Sequence, residues 1–204
     1  MLGLGSSLLF GGKVQRLIFE YTSDFTSGVD SWEKWTQTQG TPTISGNDSG
    51  PDGAGGWLKM VFDQNQTSTS GLKRDLGWTG REGTAEMQET KKGDYAEISF
   101  KIHLVETGSD HWGGSDNVSI IVSALGDGEG GLYDSGDQFN TQIGGSGGIV
   151  QNQTTSISLN RYALFQTTDG SYIDDVRILF KQTGDKPANG AVFYIKDYNI
   201  KIYR

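Results

Sequence analysis

Lys92-Gly93-Asp94-Tyr95-Ala96-Glu97-Ile98-Ser99-Phe100-Lys101-Ile102-His103-Leu104-Val105-Glu106 alternates with a period of two. Ala96, Ile98, Phe100, Ile102 and Leu104 share one parity; Glu97, Ser99, Lys101 and His103 share the other. That pattern describes a strand with one buried face and one wet face. A single wet face argues for an antiparallel sheet, since parallel sheets are covered on both sides. Lys92-Gly93-Asp94 is the turn that launches the strand. The stretch reads as a central strand of a β-sandwich, with His103 on its wet face.

Working outward, the same signature recurs. Residues 57–62, 118–125 and 173–181 read as strands, the last with Val176, Ile178 and Phe180 inward. In residues 191–204, Phe193 and Ile195 share one parity and Tyr198, Ile200 and Ile202 the other. The parity slips near Lys196-Asp197, which predicts a β-bulge. Weaker strands fall at 14–21, 42–45, 72–78 and 156–166. Turn-rich loops separate them, the longest a glycine-dense segment at 126–148. Phe25, Trp32 and Trp35 lie among turn formers and read as aromatics that plug an end of the sandwich. Nine or ten strands at such spacings give an all-β fold, an antiparallel β-sandwich of jelly-roll type.

Composition agrees. The chain has 204 residues, 31 glycines, 3 prolines and no cysteine. Aperiodic glycine at this level means many tight turns. Without cysteine there is neither a disulfide framework nor a thiolate metal site. A formal net charge of -8 argues against nucleic-acid binding. No apolar run approaches the ~20 residues that span a bilayer, so no membrane partner is expected.

Residues 1–12 form an uncharged Leu/Gly arm. A secretory signal would place Lys or Arg ahead of its apolar core, whereas here Lys13 follows it. Leu2, Leu4, Leu8, Leu9 and Phe10 each cost roughly 1.5–3 kcal/mol to leave in water. They are therefore the expected docking residues for another subunit or another protein, the alternative being a loose terminus. The chain divides into an extended N-terminal docking arm with the first strand (1–21) and the jelly-roll domain (22–204).

No catalytic constellation is present, and no catalytic residue is nominated. His103 and His111 have no partner at metal spacing. No Gly-x-Ser-x-Gly elbow or His-Glu-x-x-His occurs. Trp78, Trp112, Tyr133 and Tyr172 lie in loops or at strand ends and are the candidate carbohydrate-binding residues. Aromatic rings stack on sugars by covering apolar C–H surface. Capping the sandwich or filling a subunit contact is the alternative role for the same rings.

Three stretches in order carry a family resemblance: Phe25…Gly28…Asp30-Ser31-Trp32, then residues 92–101, then Phe193-Tyr194-Ile195-Lys196-Asp197-Tyr198-Asn199-Ile200. Over about residues 22–204 the chain resembles the carbohydrate-binding-module type of jelly roll, also called galactose-binding-like. The resemblance implies sugar binding on loops or a concave face. It also implies a structural calcium, for which Asp197 with Asp24 or Asp30 is the nominated ligand set. Lys196 stands where the family has its first acid. No other cofactor is implied. The opening Met-Leu-Gly-Leu-Gly-Ser-Ser-Leu is similar to the starts of short structural proteins of tailed bacteriophages. Together these give the expected function. The chain would be a non-enzymatic virion structural protein, a head decoration or tail/fibre component, anchored by its arm. Its partners would be other virion proteins and copies of itself, with a weak glycan-binding role in host adsorption. The alternative is a carbohydrate-binding module that recognises a polysaccharide through exposed aromatics.

Overall fold

The computed structural model describes residues 15–75, 95–105, 112, 117–125, 139–142, 149–163, 172–181 and 187–204. Among them are eleven strands and no helix. The strands are β1 (Leu17–Ser23), β2 (Glu33–Lys34), β3 (Thr43–Asp48), β4 (Trp57–Val61), β5 (Ser70–Asp75) and β6 (Tyr95–Val105). They continue with β7 (Asn117–Leu125), β8 (Phe139–Gln142), β9 (Thr154–Ala163), β10 (Tyr172–Lys181) and β11 (Val192–Tyr203). Two antiparallel sheets result. One runs β3-β4-β11-β6-β9 with β1 also paired to β11; the other runs β2-β5-β10-β7-β8. The fold is the expected all-β sandwich.

The hub is β11 rather than β6. Val192–Ile195 pairs with β4, the later half pairs with β1, and the opposite edge pairs with β6 over nearly its whole length. Phe193, Ile195, Tyr198, Ile200 and Ile202 are buried, so the inward parity changes between Ile195 and Tyr198. The β6 pairing shifts register between Lys196 and Asn199, and Asp197 holds φ 56°. This is the bulge that the sequence predicts, with an aspartate tolerating the left-handed region.

The core lies between the sheets. Ile98, Phe100, Ile102 and Leu104 of β6 face Leu72, Val176, Ile178 and Phe180 of the second sheet's inner side. Of the three aromatics expected to plug an end, Phe25 and Trp32 are buried in the core, at 0% and 2% exposure, and Trp35 is only partly buried against it. Trp32 Nε1 donates to Ser23 Oγ and to Tyr21 OH, each at 3.1 Å, and its ring meets Tyr198 edge-on at 5.0 Å. A buried indole N–H without such acceptors would carry a desolvation cost of about 1–3 kcal/mol. The chain enters the sheet at Arg16, whose backbone exchanges two hydrogen bonds with Arg204. The arm residues Leu2, Leu4, Leu8, Leu9 and Phe10 lie outside the described residues.

Candidate functional site

The sandwich offers two outer faces. On the five-stranded sheet, Val176, Ile178 and Phe180 point into the core, so Arg177 projects outward from β10. Cross-strand register aligns Arg177 with Lys73 of β5, and Lys73 with Glu33 of β2. Lys73 Nζ and Glu33 Oε1 form an ion pair at 3.1 Å. One step beyond β2, Trp35 donates its backbone N–H to Gly71 O at 2.8 Å, which seats the residue beside the same face. The Arg177 guanidinium lies 4.2 Å from the centroid of the Trp35 ring. Both residues are half-buried. Trp35 Nε1 is shielded from solvent and has no hydrogen-bond partner among the described residues.

A guanidinium stacked on an indole is a planar slab with N–H donors at its edge. Such a slab can cover an apolar ring face while its edge donates to hydroxyl or carboxylate oxygens. Arg177 was legible as an outward residue from strand parity. The placement of Trp35 was not, since it depends on the two-residue strand β2, which has no sequence period.

The outer face of the six-stranded sheet is different in kind. One row crosses five strands as Ser45, Lys59, Tyr194, His103 and Thr154. The next carries Lys101 and Ser156, aligned with Lys196. Most of its charges are matched locally. Lys101 pairs with Asp197 at 2.7 Å, Lys201 with Glu20 at 3.3 Å and Lys59 with Asp48 at 3.9 Å. Trp57 belongs to this face but is only 1% exposed, closed off by the loop after β3. Its Nε1 donates to Asp52 Oδ1 at 2.8 Å.

His103 differs from its expected wet setting. It is 9% exposed, with Tyr194 edge-on at 6.3 Å and Thr154 Oγ1 at 3.2 Å from Nδ1. Neighbours on both adjacent strands close over the ring, and this burial pushes its pKa below the usual histidine value.

The four nominated sugar-binding aromatics separate. Trp112 is a correction: it is 2% exposed and belongs to the core. Its ring packs 4.7 Å from Phe180 and 6.2 Å from Phe62, and its Nε1 donates to Val105 O at 3.1 Å. A turn-rich sequence context does not say which way the side chain turns. Tyr172 is the first residue of β10, the strand that carries Arg177, and its backbone pairs with Leu125 of β7. Trp78 and Tyr133 lie outside the described residues.

The calcium ligand set is a second correction. Asp24 Oδ1 accepts from the Thr26 backbone N–H at 2.9 Å and from Thr26 Oγ1 at 2.8 Å, which holds its carboxyl below the usual aspartate range. Asp197 is committed to Lys101. Asp30 sits at φ 49° in the turn ahead of Trp32. Among the described residues no three His, Cys, Asp or Glu side chains converge as metal ligands. Calcium requires six to eight oxygens. These residues do not fit it, and the position of the family's first acid is a cation, Lys196.

No protein-family model matches the chain, and no curated protein matches it. Solved structures do resemble it. A xylan-binding module, CBM15, superposes over 89% of this chain and 95% of its own at TM-score 0.50 and 14% identity. The CBM22-1–GH10 modules of a Clostridium thermocellum endo-1,4-beta-D-xylanase, complexed with xylohexaose, match over 89% of this chain at TM-score 0.48 and 13% identity. This chain spans only 28% of that protein. A cyclase from Fischerella sp. TAU matches over 84% of each chain at TM-score 0.43 and 11% identity. At these identities the likeness is one of fold, a β-sandwich of the kind found in carbohydrate-binding modules.

Proposed function

We propose that this chain is a non-catalytic carbohydrate-binding module that engages a polysaccharide on the outer face of its five-stranded sheet. The observation that carries the reading is the Trp35–Arg177 stack at 4.2 Å beside the Lys73–Glu33 pair. The part of the indole covered neither by the core nor by Arg177 would supply apolar surface for a sugar ring, and the guanidinium edge would supply donors that orient it. The other outer face supports this choice, because its tryptophan is covered and most of its charges are matched internally. The β-sandwich likeness to a xylan-binding module supports the reading at the level of fold. It also makes xylan the first probe.

The expected virion role has no support among the described residues. It survives as a proposal about where such a module is mounted, through residues 1–12.

Affinity electrophoresis through gels containing soluble xylan, mixed-linkage glucan or galactomannan tests the binding reading. Retardation is expected in at least one gel. Arg177→Ala and Trp35→Ala should each weaken it by about tenfold, the equivalent of roughly 1.4 kcal/mol. Free migration of the wild-type protein in all three gels would refute the reading.

A further inference from the structure

We propose that the ammonium of Lys196 is a built-in cation, clamping the loop between β3 and β4 onto the sheet in the place of a structural metal ion. This concerns the scaffold and stands whether or not the five-stranded face binds a glycan.

The loop runs from the end of β3 at Asp48 to the start of β4 at Trp57. Lys196 projects toward it from the bulged region of β11. Its Nζ donates to Gly55 O at 2.7 Å and lies 3.7 Å from Asp52 Oδ2 and 5.3 Å from the centroid of the Trp57 ring. Asp52 in turn takes the indole N–H of Trp57 and the backbone N–H of Ala54 at 3.0 Å. Gly56 brings the backbone close to both partners. A Cβ there would sit 3.2 Å from the carbonyl oxygen of Asp24 and 3.6 Å from Lys196 Cε. One positive charge thus faces a backbone carbonyl, a carboxylate and a π face, with the loop before β2 close by.

Backbone carbonyls and a carboxylate are the ligands a hard cation seeks, but six to eight oxygens are needed to hold calcium. An ammonium has three donors and is satisfied by far fewer partners. The lysine side chain is 18% exposed. A covalently attached cation cannot dissociate, so the loop stays closed over Trp57 without a metal in solution.

The test measures Tm and loop-amide hydrogen exchange for wild type, Lys196→Met and Lys196→Asp, in EDTA and in millimolar calcium chloride. Met keeps the length of the side chain and removes the charge, while Asp reverses it. Wild-type Tm should agree between the two solutions to about 1 °C, because no bound ion is lost. Lys196→Met should lower Tm by about 3 °C or more and speed exchange at Ala54 and Gly56 in both solutions. Lys196→Asp should be destabilised at least as much as Lys196→Met in both solutions, because it sets a second carboxylate beside Asp52 and the Gly55 carbonyl. A wild-type Tm that falls in EDTA would overturn the proposal. So would a Lys196→Met protein with unchanged Tm and exchange.

Discussion

His103 is where a single side chain ties the fold to pH. Burial disfavours its charged form and lowers its pKa in the folded protein. The unfolded chain therefore binds the proton more readily, at an ordinary pKa of about 6.5. Stability from this site is complete above that value and is lost as pH falls through it toward the folded pKa. Tm should therefore fall between pH 7.5 and pH 5. His103→Gln keeps a partner for Thr154 but cannot titrate, so its Tm curve should be flatter over that range. Asp24, Asp52 and Asp63 also have lowered pKa values, but they act in the acid range below about pH 4. Superimposable melting curves for wild type and variant between pH 5 and 7.5 would remove His103 as the cause. Strand parity placed His103 on the outer face correctly. Its enclosure was not legible, because it is made by Tyr194 and Thr154, ninety-one and fifty-one positions away. Trp112 was misjudged for a related reason, since only the meeting of Phe62, Phe180 and Phe193 creates the space its ring fills.

At the scale of elements, β5 depends on one glycine. Gly71 has φ 148° and lies opposite Leu179 of β10. A Cβ there would overlap the carbonyl oxygen of Ile178, a backbone atom that cannot rotate away. The same residue accepts the backbone hydrogen bond of Trp35 and that of Thr38 Oγ1. Gly71→Ala should therefore cost about 2–4 kcal/mol, combining positive-φ strain with a displaced strand pair. Gly53→Ala is the control. It also has positive φ, 71°, but its Cβ would meet nothing within 4 Å, so only strain of about 1 kcal/mol is expected. Urea denaturation of both variants separates the terms, and equal midpoints would show that the close approach to Ile178 does not matter. The strands themselves were largely readable, even to the slip at Lys196-Asp197, because a period of two reports burial directly. The short strand β2 and the neighbour order of β11 were not readable. Pairing between distant strands leaves no local period.

For the whole molecule, the open question is how the sandwich is mounted. The sheet begins at Arg16, paired to the C-terminal Arg204, and β1 is held along β11 from Leu17 to Ser23. Deleting residues 2–12 removes none of these bonds. The truncated protein should still fold, since these bonds all lie within residues that it keeps. The five large apolar side chains at Leu2, Leu4, Leu8, Leu9 and Phe10 would go with the deletion, however. If they dock on copies of the chain, light scattering should find the full-length protein associated and the truncated one monomeric. Glycan retardation per module should be unchanged, while avidity on a multivalent polysaccharide should fall with the loss of assembly. Two monomers of equal avidity would remove self-association as the role of the arm. The proposed face on the five-stranded sheet would then act alone, since Arg177 lies on β10 and Trp35 just after β2, in the sheet that β1 does not join.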